Sequence, residues 1–401
     1  MKPAFDLTEL FRAAWPGNAG EEARMEAAFA EKFRFSAAVF FPYGRTAIHA
    51  LLRTMGWRNR EIVVPAYTCV VVPHTVMLSG NRVSFVDCQA DYFHPSAGQL
   101  ADRLGPGAAM VVPTPLYGYP LDGEGYRQAI QERSPGVFVL YDAAQCFGLQ
   151  EASGRFQFED ADAVLLALGV GKLLCSLTGG LMLFKDASLA KQVRAYRDRT
   201  FIPPTWGDAV AKWAYGAAVW AAFRNPVLVL THFLEHKTSL LHTFTEDLYG
   251  KTGPSLPAGN NKQPTALQAR LARLQLRRYP EIIKEKRRIS SVYENLLQQE
   301  GFKLFPHRST PTYAQFPLQV KARDPVMAAL LDRGIQAGNL IDYSCPDLPG
   351  YEGSQGTCPN ASQFGREMIN LPNGPYMPPR DVERVVRAMV DIRQAQPDWF
   401  R

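Results

Sequence analysis

The stretch Leu165–Phe184, LLALGVGKLLCSLTGGLMLF, decides how the rest of the chain reads. Lys172 is its only charged residue. Gly-Val-Gly precedes the lysine, and Thr178-Gly179-Gly180 leads into the apolar run LMLF. An ammonium in apolar surroundings is costly unless it is paired, neutralised or chemically used. A lysine whose pKa falls through desolvation becomes a nucleophilic amine, able to form a Schiff base with a carbonyl cofactor. The same pattern also fits a lysine snorkelling from a strand end, so the surrounding sequence has to decide.

Working outward, strand-like and helix-like segments alternate. AVLLALGVGK and GLMLF form a strand pair around Lys172, and GVFVLYDAAQCFG is a strand ending at Asp142. EIVVPAYTCVVV reads as strand then helix, RVSFVDC as a strand, and GAAMVVPTPLYG as a strand and turn. Strands separated by helices predict βαβ units and a mostly parallel sheet covered on both faces. Ligands of such sheets bind at the carboxyl ends of the strands, where Tyr67, Asp142 and Lys172 all fall. Further upstream, an apolar strand at Ala37–Phe41 runs through Pro42-Tyr43-Gly44 into a helix. That junction offers free backbone N–H groups and a helix dipole to an anion.

The flanks set the domain plan. Residues 1–35 read as helical, with Met25, Phe29 and Phe33 at helical spacing. Ala209–Phe223 and Pro226–Leu234 are apolar, but each is too short to span a bilayer, and Arg224-Asn225-Pro226 interrupts them. They read as helices of an insertion at about 203–245, buried against the core or in a dimer interface. A peripheral membrane contact through 209–234 stays open, because Trp206, Trp213, Tyr215 and Trp220 suit an interface. A long helix begins near Thr265. After it, TYAQFPLQV is a strand, DPVMAALLDRG a helix capped by Asp324 with Gly334 at its end, and PRDVERVVRAMVDIRQ a closing helix. The division expected is a large domain, 1–260, and a small C-terminal α+β domain, 261–401.

Composition excludes several classes. The 401 residues are 46% hydrophobic and 20% charged, which is globular rather than disordered. The net charge of +6 is scattered, and clusters such as Lys284-Glu285-Lys286-Arg287-Arg288 read as solvated helix faces rather than a nucleic-acid footprint. A modest positive excess suits anionic small substrates. The six cysteines contain no CxxC pair and read as free thiols, neither a disulfide framework nor a metal site. The N-terminus lacks a long apolar segment, so a cytoplasmic location is expected.

Seven stretches, in order, resemble the DegT–StrS sugar aminotransferases among the fold type I pyridoxal 5'-phosphate (PLP) enzymes. They are GRTAIHALL, IVVPAYTCVVVPHTVMLSGNRVSFVDC, PLYGYPLD, YDAAQCFG, LGVGKLLCSLTGG, AGNNKQPTALQA and LPNGPYM. The resemblance implies an α/β fold and a homodimer with shared active sites. Lys172 then corresponds to the Schiff-base lysine and proton shuttle, Asp142 to the partner of the pyridinium nitrogen, and Gln145 to the partner of the ring hydroxyl. Gly44, Arg45 and Thr46 match the phosphate turn, and Asn261 the asparagine that reaches the partner subunit's phosphate site. Several positions depart from the family pattern. Ala167-Leu168 stands where a Ser-Phe pair is usual, and the usual stacking aromatic falls at Cys69, leaving Tyr67 to cover the ring. GYNYRM has become GNNKQP, and Asn339-Leu340-Ile341-Asp342 replaces a histidine-rich strand end. The implied reaction is amino transfer, with glutamate as donor, to a nucleotide- or lipid-linked keto-sugar. A PLP-dependent lyase or dehydratase and a degenerate cofactor-binding protein with a structural or regulatory role remain open at this point.

Overall fold

A computed structural model describes residues 5–14, 20–222, 253–256, 259–307, 309–352 and 357–401. The expected membrane-facing segment Pro226–Leu234 lies outside them.

The hairpin around Lys172 is where the sheet turns antiparallel. Strand β6 (Ala163–Ala167) pairs antiparallel with β7 (Gly180–Phe184), Ala167 opposite Gly180, and the intervening loop carries Lys172. On its far side β7 pairs antiparallel with β1 (Ala37–Phe41). The other strands are β2 (Glu61–Pro65), β3 (Arg82–Val86), β4 (Ala108–Val111) and β5 (Phe138–Asp142), and they run parallel. Strand order is β1-β7-β6-β5-β4-β2-β3. Near-continuous Val, Leu, Ile and Phe in these strands fit a sheet covered on both faces, and the inner residues are almost wholly buried.

Helices cover that sheet: α1 (Leu7–Ala14), α2 (Glu21–Phe33), α3 (Gly44–Thr54), α4 (Val71–Leu78), α5 (Ala97–Arg103), α6 (Gly123–Arg133) and α7 (Ala187–Thr200). Helix α8 (Trp206–Ala222) covers most of the first apolar run, Ala209–Phe223. It packs one face on α1, where Gly216 lies against Leu10 and Leu177, and leaves Trp206, Val210 and Tyr215 exposed. No described helix is long and apolar enough to cross a membrane.

Helix α9 (Ala266–Gln299) starts at a capping box, Thr265 Oγ1 accepting from Gln268 N–H. Its first half packs beside α2 in the large core, and its second half carries Ile289, Tyr293 and Leu297 into the core of the C-terminal elements. Those elements are β8 (Phe316–Gln319), α10 (Arg323–Asp332), α11 (Pro359–Glu367), β9 (Met368–Leu371) and α12 (Pro379–Ala395), with β8 and β9 antiparallel. Two local expectations are corrected. The strand read from TYAQFPLQV is confined to β8, because Tyr313 turns into the left-handed region at φ 49°. Asp324 does not cap its helix: Ala322 does, and the Asp324 carboxylate accepts instead from Arg323 Nε at 2.8 Å.

Candidate active site

Strand β5 ends on Asp142, placing its carboxyl at the sheet's carboxyl edge beside the β6–β7 loop. The residue is 4% exposed. Its N–H donates to Pro113 O at 2.9 Å, and Oδ1 accepts from Ala144 N–H at 3.0 Å. Among the described residues Oδ2 makes no hydrogen bond. Burial pushes the carboxyl up from its ordinary range, while the Ala144 N–H and the charge of Lys172 pull it back. The two groups expected to act together are thus electrostatically coupled.

Lys172 itself is half-buried. Its loop is closed by Leu168 N–H to Gly179 O at 2.9 Å and Ser176 N–H to Leu168 O at 2.8 Å. Lys172 N–H turns back to Gly169 O at 3.1 Å. The loop is therefore a fixed mount for a side chain that solvent can reach.

Helix α3 starts at the opposite wall. Its first intrahelical bond, Ala47 N–H to Tyr43 O, leaves Gly44 and Arg45 N–H ahead of the hydrogen-bond ladder. The Thr46 hydroxyl is not free: it donates to Tyr43 O at 2.8 Å and accepts from Tyr43 N–H at 3.2 Å. The helix start lies flush against β7 because residue 180 is glycine. A Cβ there would come within 2.5 Å of Gly44 Cα and of the Tyr43 carbonyl carbon. The Arg45 guanidinium is partly buried, which lowers its pKa, beside Cys69, Tyr43 and Tyr343.

Gln145 is oriented by a contact the sequence did not reveal. Its Oε1 accepts Tyr117 N–H at 2.7 Å, so the amide nitrogen, which makes no hydrogen bond among the described residues, is the end left to donate. Tyr117 holds φ 59° and Gly118 φ 82°. The only sequence signal was the density of turn formers in Pro-Leu-Tyr-Gly-Tyr-Pro. Tyr67 has no exposed surface. Its hydroxyl lies 2.6 Å from that of Tyr117 and donates to Ile341 O at 3.0 Å, and its ring packs on Phe364. Cys69, by contrast, is half-buried. Asn261 is exposed, with its carbonyl accepting Ile202 N–H at 2.7 Å. In the GNNKQP stretch, Lys262 is spent on Asp208 at 2.6 Å.

The model of the DegT/DnrJ/EryC1/StrS aminotransferase family matches residues 4–390. The chain belongs to that family. It is a PLP-dependent aminotransferase with the fold type I architecture. It is 23% identical over 375 residues to the dTDP-3-amino-3,4,6-trideoxy-alpha-D-glucose transaminase of Streptomyces venezuelae, covering 91% of this chain and 85% of that protein. Among solved structures it is similar to the aminotransferase TlmJ of Streptoalloteichus hindustanus, with a TM-score of 0.76, 21% identity, and coverage of 99% of this chain and 98% of that one. An aminotransferase from Psychrobacter cryohalolentis gives a TM-score of 0.76 at 18% identity, covering 98% of each chain.

The donor set fits PLP. A buried carboxylate keeps one oxygen open, an oriented amide presents a free donor, an amine sits on a fixed loop, and a helix start is seated where residue 180 has no side chain.

Proposed function

We propose that this aminotransferase takes an amino group from glutamate and delivers it to the carbonyl of a keto-sugar carried on a nucleotide or lipid. The reading rests above all on Asp142 and Lys172, coupled across the ends of the neighbouring strands β5 and β6. Family membership and the dTDP-sugar relative support the sugar as acceptor. When bound, PLP supplies an electron-withdrawing ring that stabilises negative charge at the substrate carbon.

The chain's own residues do the rest. Asp142 Oδ2 holds a proton at the ring nitrogen, and its low-dielectric setting strengthens that contact. Lys172 Nζ takes and returns the proton at the reacting carbon, which suits a side chain mobile at its tip and fixed at its backbone. Gln145 Nε2 donates to the ring oxygen. Gly44, Arg45 and Thr46 hold the phosphate through the α3 terminus. Cys69 faces the ring, with the buried Tyr67–Tyr117 pair bracing the wall behind it. Asn261, exposed and ahead of α9, completes the partner subunit's site in a homodimer.

The test is the absorbance of the purified protein before and after glutamate. The long-wavelength band of the bound cofactor should disappear with glutamate and return with a keto-sugar, which leaves as its amine. A band unmoved by any amino donor, or release of a keto product without amine transfer, would refute the reading.

A further inference from the structure

The turn that orients Gln145 is itself held by the C-terminal elements. Tyr117, whose N–H fixes Gln145 Oε1, stands at φ 59°, a conformation that only surrounding contacts keep populated in a non-glycine residue. Those contacts come from the segment Thr312–Gln315. Thr312 N–H donates to Gly118 O at 2.9 Å, and Gln315 N–H to Tyr117 O at 3.3 Å. The fit leaves no slack. A Cβ on Gly118 would overlap Thr312 Oγ1 and lie 2.9 Å from Ala314 N and 3.0 Å from Gln145 O. Turn, segment and the Gln145 backbone therefore meet at one point, and a shift in one is passed to the others.

The segment carries strain of its own, at Tyr313 with φ 49°. Its outer side is anchored by half-buried groups of α9: Arg287 Nε donates to Pro311 O at 3.0 Å, and Glu294 Oε1 accepts from the Tyr313 hydroxyl at 2.7 Å. Its inner side is gripped by two buried groups. Asn373, just past β9, donates from Nδ2 to Tyr313 O at 2.9 Å and accepts at Oδ1 from Lys286 Nζ at 3.0 Å. The other bond of Lys286 Nζ goes to Ala314 O at 3.0 Å. Two consecutive carbonyls are thus held by an amide and an amine that face no solvent. Taking such groups out of water is costly, and apolar side chains would fill the space without that cost. What apolar side chains cannot do is fix the direction of the Tyr313 and Ala314 carbonyls, and hence of the N–H groups beside them that hold Tyr117-Gly118.

We propose that Asn373, with Lys286 behind it, is a positioning residue for Gln145: through Tyr313–Gln315 and the Tyr117-Gly118 turn it sets where the Gln145 amide donates. The inference rests on the reading of Gln145 as the partner of the cofactor's ring oxygen, and its test separates the two. The full-length apo-protein is titrated with PLP and, separately, with 3-deoxypyridoxal 5'-phosphate, which keeps the aldehyde and the phosphate and lacks the ring hydroxyl. Bound ligand is measured after filtration. The ratio of the two affinities reads the contact at the ring oxygen.

Gln145→Leu removes the donor and should cut the wild-type preference for PLP about tenfold, the scale of one hydrogen bond to a charged oxygen. Asn373→Asp keeps the side-chain shape and the acceptor for Lys286, but sets an oxygen against Tyr313 O. It should cut the preference about threefold or more, with affinity for the 3-deoxy compound within about twofold of wild type. The double variant should match Gln145→Leu alone, because both changes act on one contact. Lys286→Met should shift the preference in the same direction, and it carries the test if Asn373→Asp does not fold. Equal weakening of both ligands, or losses that multiply in the double variant, would make Asn373 a structural residue and overturn the proposal, as would an unchanged preference. An unchanged preference in Gln145→Leu would overturn the ring-oxygen reading, and the proposal with it.

Discussion

Lys286 sits in the middle of α9, 3% exposed, with Nζ donating to Ala314 O and to Asn373 Oδ1, each at 3.0 Å. No carboxylate balances it among the described residues. Burial brings its pKa down from 10.5 to about 7. The unfolded chain holds this proton up to about pH 10.4, whereas the folded chain sheds it near pH 7. Between those values the unfolded state binds more protons, so stability rises with pH. Below pH 7 both states are protonated, and the burial penalty of the ammonium is present in full. One proton contributes about 1.4 kcal/mol per pH unit, or about 4 kcal/mol between pH 7 and pH 10.

Lys286→Met removes that slope. At pH 10 the variant should be less stable than wild type by about 2 kcal/mol or more, because Ala314 O and Asn373 Oδ1 lose their donor. Near pH 7 the gap should close or reverse, because the wild type then carries a buried charge that methionine does not. Urea denaturation of both proteins at pH 7, 8, 9 and 10 measures the difference, and tyrosine and cysteine titrations common to both cancel. Parallel stabilities across that range would refute the buried-amine argument. The contact also matters to the site. Asn373 Nδ2 donates to Tyr313 O at 2.9 Å, Thr312 N–H to Gly118 O at 2.9 Å and Gln315 N–H to Tyr117 O at 3.3 Å, so the corner Lys286 braces supports the turn that orients Gln145.

Other substitutions address the reaction more directly. Lys172→Ala should fold and dimerise yet show no turnover in an amine-formation assay, and substantial turnover would remove the lysine from the mechanism. Asp142→Asn should still bind PLP, with kcat down by about a hundredfold or more, since an amide holds the ring-nitrogen proton poorly; kinetics like the wild type would assign that task to another group. Gly180→Ala forces backbone against backbone at Gly44 and should lose about 1–3 kcal/mol in thermal unfolding together with PLP affinity. A wild-type Tm would mean that the α3 terminus can retreat freely.

The elements that carried the sequence reading were those with local signals. Asp142 closes a run of β-branched and apolar residues, and Lys172 interrupts one, so both strand ends were visible before any tertiary contact was known. The long helix beginning near Thr265 was legible too, and in the structure a Thr265–Gln268 capping box starts it. Asp324 offered an equally local signal and failed, because an adjacent arginine competes for the same carboxylate. Tyr67 failed for another reason. A tyrosine just past a strand end looks the same in sequence whether its ring faces a ligand or the core. Here Tyr117, Ile341 and Phe364, all distant in sequence, draw it inward. The Tyr117–Gln145 bond and the Lys212–Thr178 bond likewise join residues whose spacing carries no periodic signal.

The departures from the family pattern cluster by place. By the resemblance, the hydroxyl missing at Ala167 falls on the phosphate side and the changes in GNNKQP and Asn339–Asp342 fall where donor or sugar would touch, whereas Asp142, Gln145 and Lys172 match the family pattern. A chain drifting toward loss of the cofactor has no physical reason to keep a buried carboxylate with one open oxygen, since leaving it unpaired costs stability. Keeping that carboxylate is what a site that still holds its cofactor's ring would require.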